Sequence, residues 1–103
     1  MNFDCLDVEK LAGFEWDDGN IDKNLNKHGL PHSLIEEIFF NEPLLVTQDF
    51  GHSKDECRCF ALGQTFEGKY LFVVFTVRGD KIRVISARVM NKKERSIYES
   101  QNL

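Results

Sequence analysis

An α+β fold built on one mostly antiparallel sheet is predicted by three features of this 103-residue chain. Apolar residues recur at helical spacing as far as Pro43, and the period changes to that of strands from Leu44. The dipeptide Gly79-Asp80 then joins two long apolar runs as a two-residue hairpin turn. Helices followed by consecutive strands, without alternation, place the helices on a shared antiparallel sheet.

Each element has its own signal. Residues 1–13 are a polar lead-in with Phe3, Leu6 and Leu11 at helical spacing, read as an N-terminal extension to a single domain over 14–103. Residues 14–16 predict a short strand. Asp17 caps a helix over residues 18–28, where Ile21, Leu25 and His28 fall on one face and Gly29 is the stop signal. Pro31 and Ser33 open a second helix carrying Leu34, Ile35, Ile38 and Phe39, ended by Asn41 and Pro43. Strands follow over 44–49, 57–65, 70–78 and 81–90, with a polar loop over 50–55 and turns at Glu67-Gly68 and Gly79-Asp80. Asn91 caps a C-terminal helix, with Glu94 at the capping-box position and Ile97 on an otherwise charged face. The order is therefore strand, two helices, four strands, helix.

Composition narrows the function classes. With 42% hydrophobic residues and 9 Phe, the chain supports one core and is not disordered. No run reaches the roughly 18 apolar residues of a membrane span, and acids stand where a signal peptide has a basic start. A soluble, cytoplasmic protein with no membrane contact is expected. Cys5, Cys57 and Cys59 are an odd number of thiols; Cys57 and Cys59 point the same way in a strand, but no fourth metal ligand stands at a familiar spacing. Reduced thiols are the reading preferred over a zinc site. No metal and no cofactor are expected. There is no glycine-rich phosphate loop, no nucleophile elbow and no paired-cysteine motif.

Charge is divided unevenly along the chain. Residues 1–57 carry 13 acids against 4 bases, whereas residues 58–95 carry 9 bases against 3 acids, within a chain of net charge −4. Such asymmetry points to a polyanionic partner for the basic half, to contact between the halves, or to both. Pairing across Gly79-Asp80 sets Thr76 opposite Arg83, Phe75 opposite Val84 and Leu71 opposite Arg88; a turn centred on Glu67-Gly68 sets Arg58 opposite Val77. In that register Arg58 and Arg88 stand on the apolar face, while Arg78, Lys81 and Arg83 cluster near the hairpin tip on the other. A charged tip has an ordinary reading as a solvated turn. An arginine on an apolar face needs an anion: Glu36, Glu37 or another acid, or a phosphate gripped by the guanidinium fork.

Other polar groups have two readings each. Lys27 and His28 end the first helix, where a cation suits the helix dipole without any chemical duty. Tyr98 either packs or presents its phenol beside Lys92, Lys93 and Arg95. His32 and His52 lack spaced partners for a metal triad.

The combination of Phe14-Glu15-Trp16-Asp17, Asn24 followed by Lys27-His28-Gly29, Arg58 followed by Gly63, Val84-Ile85-Ser86-Ala87-Arg88, and Lys92-Lys93-Glu94-Arg95 with Tyr98 resembles the BrnT family of bacterial toxins. The resemblance runs from about Phe14 to Glu99. It implies a RelE-like ribonuclease fold and metal-independent cleavage of RNA by attack of the 2′-hydroxyl on the adjacent phosphate. It also implies a BrnA-like antitoxin with a ribbon-helix-helix part, so that DNA is contacted only indirectly, through the antitoxin. On this resemblance the catalytic candidates are Arg58 and Arg88 on the phosphate with His28 or Tyr98 as proton carrier. RNA-binding candidates are Lys27, Arg78, Arg83, Lys92, Lys93 and Arg95. The alternative is a non-catalytic, toxin-like interaction module that binds an antitoxin or RNA. Two features stand apart from an RNA-cutting toxin: the acidity of the chain and the extension with its own acids.

Overall fold

The computed structural model describes residues 13–19, 21, 28–49 and 58–101. Its strands are β1 (Gly13–Glu15), β2 (Leu45–Gln48), β3 (Arg58–Gln64), β4 (Tyr70–Arg78) and β5 (Lys81–Val89), joined in one sheet of order β1-β5-β4-β3-β2. Helix α1 (His32–Glu37) runs on as a 3₁₀ turn over Ile38–Phe40, and α2 (Lys92–Ser100) follows β5. In the expected helix over 18–28, the described residues Asp18, Gly19, Ile21 and His28 have helical backbone, and the Ile21 N–H donates to the Asp17 carbonyl (3.1 Å). The rest of that segment lies outside the described residues, as does the extension through residue 12.

The α+β class holds, but the sheet is mixed. β1 pairs parallel with β5, setting Phe14 against Ile82 and Glu15 against Arg83. A three-residue strand has no hairpin to fix its direction, so side-chain placement decides. In parallel register Phe14 meets the Phe39 ring (centroids 5.4 Å), and Glu15 reaches Arg83.

Register departs from expectation at two places, each by one residue. The β4–β5 hairpin begins as predicted, with Arg78 opposite Lys81, and Gly79 alone has positive φ (+62°), the type II′ pattern. A bulge then breaks the ladder between Val74 and Phe75. Val74 pairs with Ser86 and Phe72 with Arg88, so Ile85 is the extra residue. At the other hairpin the loop has three residues, 66–68: the Thr65 N–H donates to Lys69 O (2.9 Å), and Gly68 has φ +96°. Arg58 consequently stands opposite Thr76 rather than Val77.

These two shifts move Arg58 and Arg88 together to the other face. The first face is the core: Cys59, Ala61, Leu71, Val73, Phe75, Ile82, Val84 and Ala87 pack against Leu30, Ile35 and Ile38. Ala87 takes the inward place that the uninterrupted register gave to Arg88. The 3₁₀ turn seats on β3 at Gly63, and Phe39 stands edge-on to Phe75 (5.3 Å).

α2 is fastened at both ends. Asn91 accepts from the Glu94 N–H (2.8 Å) while Glu94 accepts from the Asn91 N–H (3.0 Å), the predicted capping box. Tyr98 is fully buried, edge-on to Tyr70, and its hydroxyl donates to the Pro43 carbonyl (2.6 Å). Of the described helices, none is long and apolar enough to cross a membrane.

Candidate functional site

Alternation sets a second face apart from the core. Along β3 the side chains read half-buried, buried, half-buried to the strand's end, so Arg58, Phe60 and Leu62 line the face away from α1. Pairing extends each into a row across three strands: Arg58–Thr76–Arg83, Phe60–Val74–Ser86 and Leu62–Phe72–Arg88, with Thr76 buried and the other members half-buried. Cations stand at opposite corners of a largely apolar surface. Two strand spacings and four residues separate Arg58 from Arg88, about 16 Å between Cα atoms. They are therefore two separate cationic positions on one face.

The guanidinium groups of Arg88, Arg83 and Arg78 have carboxylate partners. Arg88 forms a two-pronged pair with Glu94 (2.8 and 2.9 Å) and lies 4.3 Å over the Phe72 ring. The hydrogen bonds from Arg88 hold the Glu94 carboxyl below the usual carboxylate range, and Glu94 in turn raises Arg88. Arg83 contacts Asp17 (2.7 Å) and Glu15 (3.3 Å), which raise its pKa, the Asp17 hydrogen bond first. Arg78 also lies 3.7 Å from Glu15. The acidic half of the chain thus meets the basic half inside the molecule. Asp49 places an acidic residue beside Arg58, its N–H donating to the Arg58 carbonyl (2.7 Å).

The acids expected to serve the arginines are used elsewhere. Glu36 accepts from the Trp16 indole N–H (2.7 Å), and Glu37 accepts from the Phe66 N–H (3.0 Å). Arg83, read as part of a solvated tip, is half-buried and shares the face with Arg58 and Arg88. Lys92 and Lys93 are exposed in the first turn of α2. Arg95 stacks over Tyr70 (4.2 Å) and lies 3.5 Å from Glu99. Tyr98 points inward, and burial pushes its phenol up. His28 is exposed; Lys27 lies outside the described residues, as do Cys5, Cys57 and His52. Burial also raises the Cys59 thiol. Among the described residues no three His, Cys, Asp or Glu side chains are grouped to hold a metal.

Sequence reasoning set Thr76 and Phe72 on the face of Arg83 but not with Arg58 and Arg88, left Phe60 unplaced, and missed Glu94 as the partner of Arg88. A signal for placing Phe60 with Arg58 was present. The pattern Arg58-x-Phe60-x-Leu62 alternates with Cys59-x-Ala61-x-Gly63, and small residues belong under a packed helix.

Glu94 carries a pH-dependent prediction. Glu94→Gln keeps a capping-box side chain but loses the charge-assisted fork to Arg88, so it isolates that pair. With Arg88 partly exposed, the loss is expected to be about 1 kcal/mol at pH 7. A carboxyl with a lowered folded pKa contributes stability above its unfolded value near 4.5. That contribution fades as pH falls through the folded pKa. Urea midpoints of the two proteins should differ at pH 7 and converge in acid; equal midpoints at pH 7 would count against the pair.

Among curated proteins, none matches the chain. A family model described as the ribonuclease toxin BrnT of type II toxin-antitoxin systems matches residues 16–94. That span takes in Trp16 after β1, all three rows of this face and Glu94, and the chain belongs to the BrnT family of ribonuclease toxins.

Proposed function

We propose that this chain is a metal-independent endoribonuclease toxin with a RelE-like arrangement, cutting RNA through its own 2′-hydroxyl and neutralised by a ribbon-helix-helix antitoxin. One observation carries the reading: Arg58, Arg83 and Arg88 occupy a single sheet face, away from α1, on a chain that is otherwise acidic. In the reaction, a base takes the 2′-hydroxyl proton, the 2′-oxygen bonds to phosphorus, and the P–O5′ bond breaks. The leaving 5′-oxygen takes up a proton, giving a 2′,3′-cyclic phosphate and a 5′-hydroxyl. Charge grows on the phosphate oxygens as that bond forms, and donors aimed at those oxygens lower the barrier. Arg58 and Arg83 flank the row nearest the hairpin tip and supply those donors. Arg88 with Lys92 and Lys93 holds the flanking backbone. Since the Tyr98 hydroxyl is committed to Pro43, His28 is the proton carrier in this reading.

The arginines' carboxylate partners shape the first step. A phosphate must exchange places with Glu15, Asp17 or Glu94, so the forks are pre-oriented by the groups they give up. An acidic antitoxin segment competes for the same positions.

Purified protein freed of antitoxin and incubated with RNA and EDTA is expected to produce fragments ending in cyclic or 3′-phosphate, with 5′-hydroxyl on the partner fragment. Intact RNA after such incubation would leave the non-catalytic, partner-binding reading.

A further inference from the structure

The centre of this face is aromatic, and charge alone does not explain it. Phe60 and Phe72 are diagonal neighbours on β3 and β4, with ring centroids 5.6 Å apart and planes tilted by 32°. Both are half-buried, unlike Phe75 on the core face, which is fully buried. Arg88 lies 4.3 Å over the Phe72 ring and is held there by Glu94, so its guanidinium plane presents a second flat surface. Phe60 lies one pairing step from the Arg58–Thr76–Arg83 row, about 7 Å along the strand.

We infer that Phe60 and the Phe72–Arg88 stack form a platform on which unpaired bases of single-stranded RNA stack. This inference rests on the reading of the chain as an RNA-cutting enzyme, and it names the class of RNA taken. Aromatic rings and arginine planes on a sheet receive splayed bases of any identity, because every base has a π-face. A base next to a phosphate held at the Arg58 row lies within reach of Phe60. Duplex RNA cannot use the platform, since its bases are stacked and paired inward. Charge complementarity favours RNA over a peptide: cations close the aromatic patch at two corners, and the carboxylates of Glu15, Asp17 and Glu94 are each turned toward an arginine.

The test uses an RNA oligonucleotide that the wild-type protein cleaves, the same oligonucleotide made abasic beside the cut, and its duplex. Phe60→Leu and Phe72→Leu keep apolar volume and remove the ring. Each is expected to weaken binding and single-turnover cleavage of the intact single strand by roughly fivefold to a hundredfold. On the abasic strand, wild type and variant should be equal; the duplex should be cut poorly by all. Phe60→Trp keeps a ring and supplies a second readout, quenching of its fluorescence by the intact strand and not by the abasic one, with wild type reporting Trp16 alone. If folded leucine variants bind and cut like wild type while Arg58→Lys loses cleavage, the platform is wrong and the ribonuclease reading survives. Leucine variants that cut normally but lose antitoxin binding would also overturn it, assigning the face to protein docking. A wild-type protein that neither binds nor cuts RNA overturns the reading itself.

Discussion

Replacing Arg58 by lysine is expected to slow single-turnover RNA cleavage roughly a hundredfold, the cost of one donor aimed at a developing oxyanion. Lysine keeps the charge but not the planar fork, so electrostatic attraction to RNA is retained and the geometry at phosphorus is lost. Arg58 and Arg83 end the same row on β3 and β5. Arg83 is also tied to Asp17 and Glu15, and its replacement loosens the attachment of β1 to β5. At Arg58, half-buried at the start of β3, lysine keeps the charge and the apolar stem, and the backbone carbonyl accepts from the Asp49 N–H whatever the side chain. Unfolding midpoints should therefore stay close to wild type, and binding of RNA should fall far less than cleavage. Arg58 and Arg83 stand on one row two strands apart, so combined lysine variants should be non-additive if both serve one phosphate. A folded Arg58→Lys protein with undiminished cleavage would move the phosphate to the Arg88 corner.

The route to Arg58 shows what local sequence can and cannot decide. Turn chemistry made the hairpin legible: Gly79 takes the positive φ that the first turn position demands, and β4 runs over the predicted residues. Asn91 and Glu94 announced a helix start in the same way. The bulge at Ile85 had no local signature, because Val84, Ile85, Ser86 and Ala87 fit a strand on either face. Its warrant is global: without an extra residue Arg88 enters the core, and with it Ala87 does. Glu67-Gly68 fits a tight two-residue turn, yet Gly68 serves a three-residue loop over 66–68 with Thr65 closing it. Each slip moved one arginine across the sheet. The two together preserved the inference that Arg58 and Arg88 share a face while changing which face, and that change brought Arg83, Phe60 and Phe72 into the site. The parallel placement of β1 and the carboxylate partners of Arg83 depend on contacts some 66 residues apart in sequence, such as Arg83 with Asp17. Spacing cannot reveal those.

Gly63→Ala is expected to destabilise the protein by about 1–3 kcal/mol, although glycine in a strand ordinarily gains from a methyl group. The backbone there is not in the left-handed region, so the usual benefit of about 0.4–1 kcal/mol from a less flexible unfolded chain applies. Packing opposes it. A methyl carbon at this position would lie 2.7 Å from Ile38 Cβ and 3.3 Å from both Ile38 Cδ1 and Leu44 Cδ1. The closest atom is a Cβ, fixed to the backbone of the 3₁₀ turn, so no rotamer change relieves it and the turn must move off β3. Ile38 is fully buried, and its neighbour Phe39 packs on Phe75 and Phe14, which ties the turn to the centre of the core and to β1. A drop of roughly 5–15 °C in the thermal midpoint is the expected readout. A midpoint within error of wild type would mean that the turn slides freely. β3 carries Arg58 and Phe60 on its other side, so a displaced strand shifts both relative to Thr76 and Val74. Gly63→Ala should accordingly lower cleavage even below its melting temperature, joining the packing beneath the sheet to the chemistry above it.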